Sequence, residues 1–484
     1  MKQFWGKNWF VLILILTFFL RLPSLFEPFI YGDEGVYLTL GLGIRKGLLL
    51  YRDIYDNKPP LLYLVAALAK NFAYFRLALF GWAMVTIFFF RELAATVFPK
   101  NKAGIIFSTA VFAILTSIHT FEGNVANAEN FMILPTIIGF IIFLRAKTKT
   151  HYFLSGILFS LAFLFKVPAA FDFAAVLVFS LTIMKNKKEM TSQAFIAKLI
   201  YLSVGFFLPI LLTLLFFATK GALGEYLKAA FFQNLPYLSS WNSNSSKVSS
   251  FPLALALRTL IVIVISGAVM LFKQSLPKEY RLVVLWFAFT LFASLLSGRP
   301  YPHYLLQTIP ALSLSTCLLF SKKKGLPLIL ITILIITFLD FKFWHYENIS
   351  YYQNFYRFAL GGKTKEQYFD YFGNNAQSLY SAAIHIKARS NADEKIFIWG
   401  NQPSLYSLAE RLPVGRYTVA YHIVDFGGYR ETIQALEKTP PRFIVITGDE
   451  IRDFPAFFAL IQNSYRTEFQ IGDLRILHQT IQTP

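Results

Sequence analysis

Two adjacent carboxylates, Asp33 and Glu34, stand in the run Phe29-Ile-Tyr-Gly-Asp-Glu-Gly-Val-Tyr37, just after the first apolar segment, Trp9 to Leu22. Ionisable groups at membrane depth are costly and usually mark a function. The run reads as neither a helix cap nor a solvated acidic stretch. A carboxylate so placed can take a proton from an attacking hydroxyl if the two come within hydrogen-bond reach. Four further stretches carry chemistry of a complementary kind. In Tyr51-Arg-Asp-Ile-Tyr-Asp-Asn-Lys-Pro-Pro-Leu-Leu-Tyr63, Lys58 precedes two prolines that fix an extended backbone. In Asn124-Val-Ala-Asn-Ala-Glu-Asn130, Glu129 is predicted to begin a helix, and Lys166-Val-Pro168 sets a lone cation near the end of an apolar segment. Finally, Ser297-Gly-Arg-Pro-Tyr-Pro-His-Tyr304 aims Arg299, His303 and Tyr304 from a tight turn.

Each stretch has a plainer reading. An Asp-Glu pair in a loop can simply be solvated, a lysine at a helix end can snorkel to the headgroups, and Gly-Arg-Pro is ordinary turn punctuation. Glu129 can be a favourable charge at a helix N-terminus, and His303 can hydrogen-bond a backbone carbonyl. Taken together they suit one reaction. The carboxylates Asp33, Glu34 and Glu129 offer a base for an acceptor. The cations Lys58, Lys166 and Arg299 offer preplaced positive charge for a departing phosphate, whose oxygens Arg can bind in bidentate fashion.

These residues are positioned by membrane-spanning elements. Of 484 residues, 55% are hydrophobic and 15% charged, with 53 Phe and 25 Tyr, so the class is an integral membrane protein and not a large soluble domain. The net charge of +19 does not point to nucleic acid, because Lys and Arg fall in short runs between apolar segments. The single cysteine, Cys317, lies in an apolar segment, which excludes an intrachain disulfide and a thiol-rich metal site. Lys2 and Lys7 before the first apolar run resemble the opening of a signal peptide, but Arg21-Leu-Pro follows where a cleavage site would be, so a retained first helix is expected.

Segments of about 20 apolar residues lie at roughly 8–25, 76–97, 103–119, 130–145, 152–167, 169–184, 199–218, 251–272, 281–297, 303–320 and 325–342, about eleven spans. With a cytoplasmic N-terminus, the clusters Lys100/Lys102, Arg145/Lys147/Lys149, Lys185/Lys187/Lys188, Lys273/Lys278/Arg281 and Lys322/Lys323/Lys324 all fall inside. All the candidate residues then share the outer side, and 61–72, short for a span, is expected along the interface. An odd number of spans leaves 343–484 outside. There Lys395-Ile-Phe-Ile-Trp-Gly400 and Arg442-Phe-Ile-Val-Ile-Thr447 read as strands, with helices at 402–411 and 428–438 between them. A hairpin follows at 466–471 and 474–478 through Gly472-Asp473. The expected fold is thus a polytopic α-helical membrane domain, 1–342, with a first outer loop of about 26–75 and a small C-terminal α/β domain. Asn242-Ser-Asn-Ser-Ser246 reads as a polar loop.

On these motifs the chain resembles the GT-C glycosyltransferases, in particular the bacterial branch of protein O-mannosyltransferases and lipid A aminoarabinose transferases. The resemblance rests on Asp33-Glu34, Asn57-Lys-Pro-Pro-Leu61, Ala128-Glu-Asn130, Phe165-Lys-Val-Pro168 and Arg299-x-x-x-His-Tyr304 followed by Pro310, and covers about 1–342. It implies transfer of a sugar, with inversion, from a polyprenyl-phosphate donor to a lipid, glycan or protein acceptor on the extracytoplasmic face of the cell membrane. It assigns Asp33 as general base with Glu34 assisting or positioning. Lys58 and Arg299 would contact the lipid phosphate, Glu129, His303 and Tyr304 would line the pocket, and Lys166 would add positive potential. No cofactor is called for beyond a candidate divalent cation. Some relatives carry an acidic residue, linked to a metal, directly before this lysine; here the position is Asn57, which speaks against a metal, and Asp56 one place earlier is not an obvious substitute.

Two other classes compete with this reading. A lipid or sugar transporter would show related halves with interrupted helices near the midplane, and no such symmetry is visible. A sensor or scaffold with an outer binding domain leaves Asp33-Glu34 and Lys58-Pro-Pro60 without a role.

Overall fold

The computed structural model describes residues 2–183, 192–237, 251–321, 324–373, 375–448 and 450–480. The basic clusters at 185–188 and 322–323 and the polar loop at 242–246 lie outside them. The chain forms two compact units, one of Met1–Leu22, Leu79–Gly221 and Phe231–Asn348, the other of Pro23–Ala78, Ala222–Ala230 and Ile349–Pro484.

The first unit is helical. Helices occupy Lys2–Arg21, Phe72–Val97 (from Leu79 in this unit), Lys102–Leu115, Ala128–Leu144, Lys149–Phe165, Ala170–Thr182, Ser192–Thr219, Phe251–Leu271, Lys278–Ser294, Ile309–Ser315 and Gly325–Asp340. By length and composition, three stretches among the described residues are long and apolar enough to cross a membrane: Asn8–Leu25, Phe72–Val97 and Gln193–Thr219; seven shorter helices among them are also apolar. Their packing is that of a membrane bundle, in which small residues bring backbones close. A Cβ at Gly156 would stand 2.1 Å from the Leu202 carbonyl oxygen, and one at Gly205 would stand 2.1 Å from that of Phe153. Helices Lys149–Phe165 and Ser192–Thr219 therefore meet backbone to backbone. Phe140, Phe159, Phe173, Phe206 and Trp286 fill the core beside them.

The segment expected as one span at 303–320 is instead broken into a 3-10 turn Pro302–Gln307, a helix Ile309–Ser315 and a 3-10 stretch Thr316–Phe320. Pro310 lacks the N–H that a continuous helix through 303–320 would donate to the carbonyl four residues earlier. Cys317, buried, meets Ser108 Oγ at 3.1 Å.

The second unit contains a four-stranded sheet in the order β1-β2-β4-β3, with β1 Ile396–Trp399, β2 Phe443–Thr447, β3 Tyr465–Ile471 and β4 Leu474–Gln479. Strands β1 and β2 are parallel, in register Ile396↔Phe443, and β3–β4 is the hairpin through Gly472-Asp473, where Gly472 takes φ +51°. Leu379, Ile386, Ile398, Tyr406, Val445 and Ile476 form its core.

Residues 23–78 build onto this unit. Asp33 and Glu34 do not lie in a loop, as the sequence suggested, but in the first turn of a helix, Gly32–Arg45. Carboxylates are favourable there because they face unpaired N–H groups at the positive end of the helix dipole. At Gly35 a Cβ would stand 2.6 Å from the backbone nitrogen of Ser404, so the helix lies directly on the start of helix Ser404–Ala409. Thr39 Oγ1 donates to the Pro403 carbonyl at 3.0 Å and seals the same contact. The N-terminal turn that carries Asp33 is therefore fixed by backbone packing.

Candidate active site

In the second unit, the loop before helix Leu61–Ala69 is folded around Lys58. Tyr51, at φ +72°, closes a tight turn with its N–H on the Ile54 carbonyl at 2.7 Å. Its hydroxyl donates to the Lys58 carbonyl at 2.9 Å, and the Lys58 N–H donates to Tyr63 Oη at 3.0 Å. Pro59 and Pro60 then start the helix without wasting a donor. The ammonium so delivered stands 3.8 Å from Asp33 Oδ2 and 3.7 Å from Asp56 Oδ2, over the ring of Tyr37 at 4.9 Å. Tyr37, one helical turn after Asp33, donates its hydroxyl to Asp33 Oδ2 at 2.8 Å.

Asp56 is almost wholly buried and accepts from Tyr63 Oη at 2.9 Å. Its other oxygen faces His422 Nε2 at 3.5 Å, from helix Ala420–Asp425. Asp56 stands one place from the position of the acidic residue in some relatives, and His422 carries no motif in the sequence; only the fold of the C-terminal segment brings His422 to the loop. Burial holds the His422 imidazole down at about 4 against an ordinary 6.5, with Asp56 and Asp33 pulling it up and Lys58 pushing it down.

A pH effect follows. Well above pH 6.5 the imidazole is neutral folded or unfolded, and its stabilising share is fully present. As pH falls from 6.5 to 4 the unfolded chain takes up a proton that the folded chain refuses, and about 3 kcal/mol is lost across that window. His422→Gln is expected to remove this share of the pH dependence. The check is the thermal midpoint of both proteins at pH 7 and pH 4.5; equal slopes would contradict it.

Glu34, beside Asp33 in sequence, points elsewhere. It is fully buried against Arg76, which pairs through Nε with Oε1 and donates from Nη2 to Oε2 at 2.6 Å. Arg76 Nη1 also pairs with Glu27 at 3.2 Å, and Tyr351 Oη donates to the same Glu27. The two neighbouring carboxylates thus have different partners.

In the first unit, a second cluster gathers Glu129, Lys166, His303 and Tyr304. Glu129 lies in the first turn of helix Ala128–Leu144 and is ion-paired with Lys166, the residue that ends helix Lys149–Phe165. The Lys166 ammonium lies over the Tyr304 ring at 4.2 Å, and His303 Nε2 is 3.8 Å from Glu129 Oε1. His303 Nδ1 meets Glu122 Oε2 at 2.7 Å, a partner that the sequence reading missed. Arg299 follows Gly298, at φ +65°, in the turn leading into Pro302–Gln307, and its N–H donates to Ser297 Oγ at 3.2 Å.

A buried carboxylate braces these pieces. Asp172 accepts from Trp286 Nε1 at 2.6 Å and Gln307 Nε2 at 2.7 Å, while Gln307 also donates to the Pro168 carbonyl at 2.9 Å. The loop after Lys166 and the turn bearing His303 are tied by one side chain. Among the described residues, no group of three or more His, Cys, Asp or Glu side chains is arranged to hold a metal ion.

The sequence matches no family model and no curated protein. Similarity appears in solved structures. ArnT from Cupriavidus metallidurans bound to undecaprenyl phosphate superposes with a TM-score of 0.59 at 13% identity, over 97% of this chain and 98% of that one. The apo state of the same protein gives 0.56 at 12% identity, over 98% of each chain. The chain has the ArnT fold. At this identity the likeness to ArnT is one of fold, and it extends through the C-terminal sheet as well as the helices. With the membrane-length helices, the ArnT fold makes the chain a multi-pass membrane protein.

Proposed function

We propose that this protein is a membrane glycosyltransferase that moves a sugar from a polyprenyl-phosphate donor to an acceptor hydroxyl on the extracytoplasmic face, with inversion. The observation that carries the reading is Lys58 held between Asp33 and Asp56, a carboxylate and a cation fixed together, in a chain with the fold of a protein crystallised with undecaprenyl phosphate. Asp33 takes the acceptor proton as the acceptor oxygen bonds to the anomeric carbon. The bond from that carbon to the phosphate oxygen breaks, and polyprenyl phosphate leaves with the electron pair. Lys58, with Lys166, Arg299, His303 and Tyr304, is assigned to the negative charge that develops on the phosphate. Glu129 holds Lys166, and Glu34 acts through Arg76 to fix the turn that carries Asp33. The reading keeps about eleven spans, a cytoplasmic N-terminus and an extracytoplasmic C-terminal segment.

The test is to incubate membranes containing the protein with polyprenyl-phosphate sugars and follow release of the free carrier phosphate. Release that depends on the protein and on an acceptor supports the reading. Movement of donor across the bilayer without its consumption would replace it with a transporter. Lys58→Gln is expected to lower transfer by about 100-fold, the scale of one lost electrostatic contact to developing charge. Steady-state kinetics check it, and a change of under about threefold would remove Lys58 from the reaction.

A further inference from the structure

We propose that Glu122 is a positioning residue that fixes His303, holding its Nδ1 so that Nε2 is presented to the Glu129–Lys166 pair. The proposal deepens the donor reading above and rests on it for its consequence in binding. Glu122 is fully buried and takes a left-handed backbone conformation, φ +53°, that side chains other than glycine, Asn and Asp seldom adopt. The next residue must be Gly123, because a Cβ there would stand 2.0 Å from the Thr116 carbonyl oxygen. The loop is thus folded to aim one carboxylate inward.

The carboxylate accepts from Asn127 Nδ2 at 3.1 Å, while Asn130 Nδ2 donates to the Glu122 main-chain carbonyl at 3.1 Å. These contacts leave the side chain little freedom. Against it, at 2.7 Å, stands His303 Nδ1. An ionised carboxylate only accepts, so Nδ1 carries the proton and the tautomer is set. Tyr301 stacks on the imidazole, with ring centroids 5.6 Å apart and planes at 17°, and Tyr304 meets it edge-on at 4.7 Å. A ring flip would turn Nδ1 away and withdraw that proton from a buried carboxylate. The far nitrogen is therefore held toward Glu129 Oε1, the atom that also pairs with Lys166. Glu122 orients the imidazole as the third member of a triad orients its base.

The experiment is a double-mutant cycle on the full-length protein in nanodiscs, read by binding of undecaprenyl phosphate. Glu122→Ala is expected to weaken binding about tenfold, the scale of one hydrogen bond to a charged group. Glu122→Gln is expected to weaken it less, because the amide oxygen can still accept from Nδ1. In a His303→Ala background, Glu122→Ala is expected to add less than about twofold, since its effect runs through the imidazole. Additive losses, or Glu122→Ala binding as tightly as the unmodified protein, would overturn the assignment. If the unmodified protein does not bind the probe at all, the donor reading falls, and orientation is then read separately by nitrogen-15 spectra of histidine-labelled protein. The His303 Nδ1 signal, identified by its loss in His303→Ala, must shift in Glu122→Ala. An unmoved signal would end the positioning claim.

Discussion

Asp33→Asn is expected to lower sugar transfer by about 10³-fold, within the range spanned by loss of a general base, while leaving the protein folded and inserted. Asparagine has nearly the same shape, and its amide oxygen can keep the 2.8 Å contact from Tyr37. What it cannot do is take a proton. The side chain is one-third exposed and its pair with Lys58 spans 3.8 Å, so little stability is at stake. Two measurements are needed together: turnover with a polyprenyl-phosphate sugar, and the thermal midpoint of the same preparation. Turnover within about tenfold of the unmodified protein would leave Asp33 as a partner for Lys58 and no more. A collapse in midpoint along with activity would show that the helix turn, and not the base, had been lost.

The helical part of the fold was legible because its signal is one-dimensional. Apolar runs near 76–97, 130–145 and 281–297 correspond to helices Phe72–Val97, Ala128–Leu144 and Lys278–Ser294, since hydrophobic length alone dictates them. The sheet was legible for a similar reason. Strand-like runs ending at Gly400 and Thr447, and a turn at Gly472-Asp473, carry their own boundaries. The break within 303–320 was the exception: Pro310 was visible in the motif, but the run around it is apolar enough to read as one span.

The site was legible only where its residues are neighbours in sequence or unusual in type. Lys58 announced itself by two prolines, and Glu129 by its place at a helix start. Glu122 gave no such signal, because its importance lies in a contact with His303, 181 residues away. His422 was hidden for the same reason, lying in an unremarked Ala-Tyr-His-Ile run until the C-terminal segment folds against residues 23–78. Asp56 was read by its offset from a family position. In the fold that offset places it against Lys58, Tyr63 and His422 together. Nothing in the Asp33-Glu34 dipeptide told the two apart either, since helical geometry alone sends adjacent side chains about 100° apart.

Arg76→Ala is expected to cost about 3–5 kcal/mol of stability, because it strands two buried carboxylates, Glu34 and Glu27, that now share one guanidinium. Activity should fall with it, since Glu34 is in the same turn as Asp33. The informative variant is the double replacement Arg76→Met with Glu34→Gln. Removing both charges lifts the desolvation penalty that Glu34 alone would bear. Glu27 remains with its bond from Tyr351. If Glu34 only fixes the turn, the double variant should recover part of the lost midpoint and, with Asp33 again in place, a substantial part of the transfer rate. If Glu34 takes part in the chemistry, stability returns and transfer does not. The midpoint and the rate, measured on the single and double variants, therefore separate a carboxylate that reacts from one that holds its neighbour in position.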